Sequence, residues 1–153
     1  MARIEYELTI HAPIALVYDI SQDYVVRYEW DPFPDNIRLL NGAQHIKIGT
    51  QVAVTAKSGW YMEVEFVQVK PPSAAAIKMT KGPIMLRTFS GSWLFKSISA
   101  TDTHAKFVYS IKTHWWTIPW VSELVVRWYF SRIIQSRLDG LKTYYEQRAQ
   151  TTV

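Results

Sequence analysis

Strict alternation opens the chain. In RIEYELTI (3–10), Ile4, Tyr6, Leu8 and Ile10 share one face, while Glu5, Glu7 and Thr9 share the other. That pattern predicts a half-buried strand. His11-Ala12-Pro13 breaks it, and Pro13 suits the first turn of a helix. IALVYDI (14–20) then reads as a short helix with Leu16, Val17 and Ile20 on its buried side. Ser21 and Asp23 are candidate N-caps for a second short helix expected around Tyr24 to Tyr28. In YEWDPFPDN (28–36), two prolines flank Phe33 and predict a loop. The loop nevertheless carries Tyr28, Trp30 and Phe33, so it either packs under the domain or overhangs a cavity.

From 37 to 113 the pattern is strands broken by turns. IRLL (37–40) stops at the hairpin signal Asn41-Gly42. TQVAVTAK (50–57) stops at Ser58-Gly59, WYMEVEFVQV (60–69) at Pro71-Pro72, and AAAIKMT (74–80) at Lys81-Gly82-Pro83. MLRTFSGSWLFKSI (85–98) contains Gly91, which predicts a bulge or bend. HAKFVYSIKT (104–113) alternates again. Such short connections favour antiparallel neighbours. The last segment is helical, with Thr117 as a cap and Pro119 in the first turn. Helix formers run on to about Gln150, roughly 45 Å, with Gly140 weakening the interior by about 1 kcal/mol. Seven antiparallel strands leave one face that must be covered, and only the terminal helix is large enough to cover it. The expected fold is α+β: a curved seven-stranded sheet around a long C-terminal helix, with two short helices between the first and second strands.

The terminal helix carries two apolar stripes. Ile134, Leu138, Leu141 and Tyr145 should face the sheet. Val121, Leu124, Val125 and Trp128 form a second stripe, rotated by roughly 140°. Three accounts of the second stripe stand: a kink near Ser131-Arg132, packing under YEWDPFP, or a patch for a second subunit or a bilayer. Arg127, Arg132, Arg137 and Lys142 wind around the helix and make no basic face.

Composition narrows the classes. The 153 residues suit one domain spanning 1–153. Without cysteine there is no disulfide framework and no thiolate metal site, and a cytoplasmic location fits. The start of the chain does not read as a signal peptide. Glu123, Arg127 and Arg132 interrupt the most apolar stretch, which argues against a membrane span. The net charge of +4 is spread along the chain, so no nucleic-acid partner is expected. Aromatic residues stand out at 14%, with seven Trp and nine Tyr, and direct attention to a cavity.

The element order, I-x-A-P-I-A-L-V-Y-D-I (10–20), Trp30-Asp31-Pro32, G-S-W-L-F (91–95) and L-D-G-L-K-T-Y-Y-E (138–146) together resemble the SRPBCC superfamily, the START/Bet v 1-like helix-grip fold. The likeness is strongest to its polyketide cyclase/dehydrase-like branch and covers nearly the whole chain. It implies an apolar cavity between sheet and long helix that binds a lipid, polyketide, quinone or similar molecule. It shares no catalytic motif that transfers to this chain. Three functions follow as expectations: a carrier or sensor of a hydrophobic small molecule, a polyketide cyclase or dehydratase, or a membrane- or quinone-associated accessory protein.

Strand alternation selects the inward residues. Trp60, Met62, Met79, Phe89, Trp93 and Tyr109 are expected to line the cavity, joined by Trp30 and Phe33 from the loop and by Leu138 and Leu141 from the helix. The bend expected at Gly91 makes the facing of Phe89 depend on register. In THWWTIPWVSEL (113–124), Trp115 and Trp120 are expected to be buried or to border the cavity, and Trp116 to face outward. No cofactor and no metal site are read from the chain. His11, His45 and His104 read as surface residues. Tyr109 and His114 are the weak catalytic candidates, while Arg87 and Arg132 could bind a ligand's carboxylate or enolate oxygen. Besides the small molecule, the partners left open are a homodimer or a peripheral membrane contact through Trp116 to Trp128.

Overall fold

The computed structural model describes residues 2–23, 27–114, 116 and 119–151. Its elements are β1 (Ala2–Ile10), α1 (Ile14–Ser21), α2 (Arg27–Trp30), β2 (Pro34–Leu39), β3 (Gln51–Ala56), β4 (Tyr61–Lys70), β5 (Ala74–Lys81), β6 (Leu86–Ser97), β7 (Thr103–Thr113) and α3 (Pro119–Thr151). The strands form one antiparallel sheet in the order β1-β7-β6-β5-β4-β3-β2. Only the long connection through α1 and α2 separates consecutive strands, so β1 and β2 become the two edges. This is the expected helix-grip architecture, with two short helices between β1 and β2.

Three local expectations change. The second helix is a single turn, Arg27–Trp30, and the expected span at 24–26 lies outside the described residues. The segment after Phe33 is strand, not loop: β2 begins at Pro34, with a register irregularity between Pro34 and Asn36. An edge strand tolerates this because a proline there need not donate to a neighbour. Gly91 makes no bulge. The register runs unbroken from Ile77 through Gly91 to Tyr109, and the irregularity in β6 falls between Leu86 and Thr88. A Cβ on Gly91 would lie 3.1 Å from the Tyr109 ring, so this glycine makes room for a side chain on the neighbouring strand.

The helix lies against β1 and β7, not along the middle of the sheet. Val126, Phe130, Ile134, Leu138, Leu141 and Tyr145 form its buried side. The second stripe is exposed, with Leu124, Val125 and Trp128 all near 60% accessible. That overturns the two buried accounts. Trp120, expected on the core side, is 70% exposed, because it sits roughly 120° around the helix from buried Val126. Trp116 is exposed as expected, while Trp115 and the expected cap Thr117 lie outside the described residues.

Gly140 has a role that helix propensity hides. A Cβ there would collide with the backbone carbonyl oxygen of Trp30 and touch Pro32. The α3 backbone therefore comes close to the segment after α2, and the Tyr145 hydroxyl donates to the Leu16 carbonyl one turn further on. In an ordinary exposed helix, Gly→Ala stabilises by about 1 kcal/mol. Here the collision is with backbone, which yields poorly. Gly140→Ala should instead lower stability by about 2 kcal/mol, measured as a reduced urea midpoint with unchanged slope.

Candidate functional site

Because α3 sits over the β1–β7 side, the concave face of β3 to β6 is left uncovered beneath it. A cavity forms there, lined by inward residues of the sheet. Val52, Val54 and Ala56 come from β3, Met62, Val64 and Phe66 from β4, and Ala75 and Ile77 from β5. Phe89, Gly91 and Trp93 come from β6, and Phe107 and Tyr109 from β7. Phe33, Pro34 and Ile37 close one side, Trp60 stands at the turn before β4, and Phe130 is the lid from α3. The rings are in mutual contact. Trp93 stacks on Phe107 with centroids 3.8 Å apart, and Phe89, Tyr109 and Phe130 lie within 6 Å of one another. The free space is about 80 Å³. That exceeds what one water needs but falls short of the roughly 300 Å³ of a site that encloses a drug-sized ligand.

Six of the sequence-selected residues lie on this wall: Phe33, Trp60, Met62, Phe89, Trp93 and Tyr109. Four do not. Leu138 and Leu141 are completely buried on the part of α3 that packs onto the core away from the cavity. Trp30 is buried behind the wall, edge-on to Trp93 at 6.0 Å, with its indole N–H unpartnered. Met79 packs beside Gly82, near the end of β5. Trp115 is outside the described residues.

The polar end of the cavity escaped sequence analysis. Asp31 is buried, and so are Arg27 and Arg137. One Asp31 oxygen accepts from Arg27 Nε at 2.8 Å and from Arg137 Nη2 at 2.8 Å. The other accepts from Arg137 Nε at 3.1 Å and from the Phe33 backbone N–H at 3.0 Å. Arg137 Nη1 donates to the Tyr109 hydroxyl at 2.6 Å, and Arg27 Nη1 donates to the Ser21 carbonyl at 2.6 Å. The guanidinium of Arg137 also lies over Phe33 and Phe107, about 5 Å from each ring centre. Both arginines and Gln22 reach the cavity, with the carboxylate behind them.

Burial alone would raise the Asp31 pKa, but the guanidiniums of Arg137 and Arg27 outweigh it and hold the carboxyl below its usual range. Burial pushes the Tyr109 phenol up, and neighbouring Arg137 only partly opposes this. Burial disfavours charge on Arg137, yet Asp31 and Tyr109 overcome it and raise its pKa, so the guanidinium stays charged. The other expected polar residues lie elsewhere. Arg87 and Arg132 are exposed, with Arg132 over the Trp128 ring. His114 is half-buried at the end of β7, its ring stacked on Trp116 rather than facing the cavity. On a helical wheel Arg137 looks like one of four scattered surface cations. The useful signal was its position, one residue before core Leu138 and three after core Ile134.

A group whose pKa is depressed on folding contributes stability above its unfolded pKa and loses it as pH falls through the folded value. Asp31→Asn should therefore destabilise the protein at pH 7 by about 3 kcal/mol, since it leaves buried guanidiniums unpaired. The gap to wild type should shrink as pH falls below about 4. Urea midpoints of both proteins across acid pH check the magnitude and the sign.

A family profile described as "Polyketide cyclase / dehydrase and lipid transport" matches residues 1–146. Among solved structures, the chain resembles the Zhui aromatase/cyclase from Streptomyces sp. R1128, with TM-score 0.74 and 16% identity over 97% of this chain and 95% of that one. A START superfamily protein from Mycobacterium smegmatis superposes with TM-score 0.77 at 8% identity, covering 95% and 97%. Norcoclaurine synthase from Thalictrum flavum, a point mutant in complex with a transition state analogue, gives 0.73 at 11%, covering 97% and 96%. At these identities the likeness establishes the fold. A search of curated protein sequences gave no significant match. The match to the profile runs through every strand and most of the terminal helix, and the chain belongs to the polyketide cyclase / dehydrase and lipid transport family.

Proposed function

We propose that this protein binds a small, flat, mainly apolar molecule bearing one oxygen acceptor, in the cavity between the sheet and α3. The observation that carries this reading is the division of the wall: an aromatic body ending in the donors of Arg27, Arg137 and Tyr109. The body suits stacking against Trp93, Phe107 and Phe89. At the polar end, the Tyr109 oxygen already accepts from Arg137, which leaves its own proton for a ligand carbonyl or phenolic oxygen. At about 80 Å³ the cavity is tighter than a two-ring compound needs, so binding one requires lining side chains such as Met62 to yield.

The alternative within the same family is a cyclase or dehydratase. Tyr109, kept protonated by burial, suits a general acid. Such a reaction also needs a base, and Asp31 is a poor one, because its carboxylate is engaged by both arginines. Among the described lining residues there is no carboxylate and no histidine. Binding is therefore the better-supported activity.

Two-ring phenols and ketones should quench the tryptophan emission with micromolar affinity. Val54→Phe, which fills the cavity from β3, should weaken that binding about tenfold without lowering the melting temperature by more than a few degrees. Tyr109→Phe should weaken ligands with an oxygen acceptor by about fivefold and leave the parent hydrocarbons unaffected. If neither class binds, the carrier reading fails; if the phenol or ketone is chemically converted, the cyclase reading replaces it.

A further inference from the structure

The start of α3 presents an apolar surface that the core does not use. Trp120, Leu124, Val125 and Trp128 are all exposed, along with Trp116 just before the helix. On a 100° wheel the four helical residues span an arc of about 140°. Buried Val126 and Phe130 lie outside that arc. Beyond Trp128 the outer face turns polar through Ser131, Arg132, Gln135 and Ser136. The apolar surface is thus confined to one end of the helix, about 13 Å of it.

Its surroundings are basic. The Met85 carbonyl accepts from the His114 N–H, and the His114 ring stacks on Trp116. This brings the β5–β6 loop and the end of β7 beside Trp116. Lys81, Arg87 and Lys112 are exposed on these flanks, and no ion pair engages them among the described residues. Arg132 lies 4.8 Å from the Trp128 ring centre. The one nearby carboxylate on the helix, Glu123, is taken by Arg127.

We infer that this end of α3 docks on an anionic phospholipid surface. Exposed tryptophans, with Arg132 against one of them and further lysine and arginine at the same end of the sheet, match a bilayer interface, where indoles sit at headgroup depth and cations meet lipid phosphates. A shallow insertion suffices, since no described helix is long and apolar enough to cross a membrane. The position also has a use. A second, more open depression of about 180 Å³ lies beside the cavity and shares Phe33 and Ala56 with it. Its α3 wall is Tyr129, Ile133 and Ser136, starting at the residue after Trp128. Docking would set this mouth close to the lipid, so that an apolar ligand could pass between bilayer and cavity with little exposure to water.

The test is co-sedimentation of the full chain with vesicles of equimolar phosphatidylcholine and phosphatidylglycerol, against phosphatidylcholine alone, with tryptophan emission and light scattering on the same samples. Wild type should sediment with the anionic vesicles, shift its emission to the blue, and be released by salt. Trp120→Ser/Trp128→Ser should lose about tenfold or more in vesicle affinity, and Arg87→Gln/Lys112→Gln should lose binding to the anionic vesicles selectively. Neither pair touches the cavity, so quenching by a two-ring phenol in the absence of vesicles should persist and separates this inference from the proposed ligand-binding function. Wild type that stays in the supernatant, or a tryptophan variant that binds as well as wild type, overturns the inference. So does a wild-type dimer that the tryptophan variant loses without any vesicle binding, which would make the patch a protein interface.

Discussion

The pairing of Asp31 with Arg27 and Arg137 ties together parts of the chain that are far apart in sequence. Arg27 belongs to the single-turn helix α2, Asp31 to the segment leading into β2, Arg137 to the middle of α3, and Tyr109, bonded to Arg137, to β7. Desolvating three charges is expensive, and such a cluster persists only when its hydrogen bonds are nearly complete. Here Asp31 accepts from both guanidiniums and from a backbone N–H. Its value lies in specifying position. With Arg137 held to the 27–33 segment, and Gly140 admitting the Trp30 carbonyl, the rotation and depth of α3 are fixed at two points one turn apart.

The cavity follows from that placement. A helix drawn toward β1 and β7 by Leu138 and Leu141 cannot also fill the hollow above β3 to β6. Phe130 and the Phe33 segment roof the hollow instead, and aromatic side chains from the strands narrow it. The same cluster then becomes the polar end wall. The space offers ring faces along its length and guanidinium and phenol donors at one end. On the proposed function, structural specificity and ligand recognition would draw on the same residues, so damage to the cluster should harm both.

Strand alternation made much of this readable. The inward facing of Trp60, Met62, Trp93 and Tyr109 needs only a period of two and polar neighbours on the other side, whereas that of Phe89 also needs the register to run unbroken at Gly91. The core stripe Ile134, Leu138, Leu141, Tyr145 needs only the helical period. What sequence concealed is mostly the chemistry that depends on distant partners. Arg137 resembles the solvated cations around it until Asp31, 106 residues away, is placed beside it. Gly140 resembles a weak point until the Trp30 carbonyl arrives. Trp120 was misplaced for a different reason. An apolar residue is assigned to the core by default, and nothing local says that a helix end is apolar on its outer side. Leu138 and Leu141 were correctly read as core, but whether core residues border empty space depends on where the helix lies across the sheet.

The central claim is that Asp31 and Arg137 act as a coupled pair that positions α3. A double-mutant cycle with Asp31→Asn, Arg137→Gln and the double variant measures it directly by urea unfolding at neutral pH. The account predicts a coupling energy of about 2 kcal/mol, with the double variant clearly more stable than the sum of the single effects allows. Additive effects, with coupling near zero, would show that the two residues contribute independently and would contradict the account.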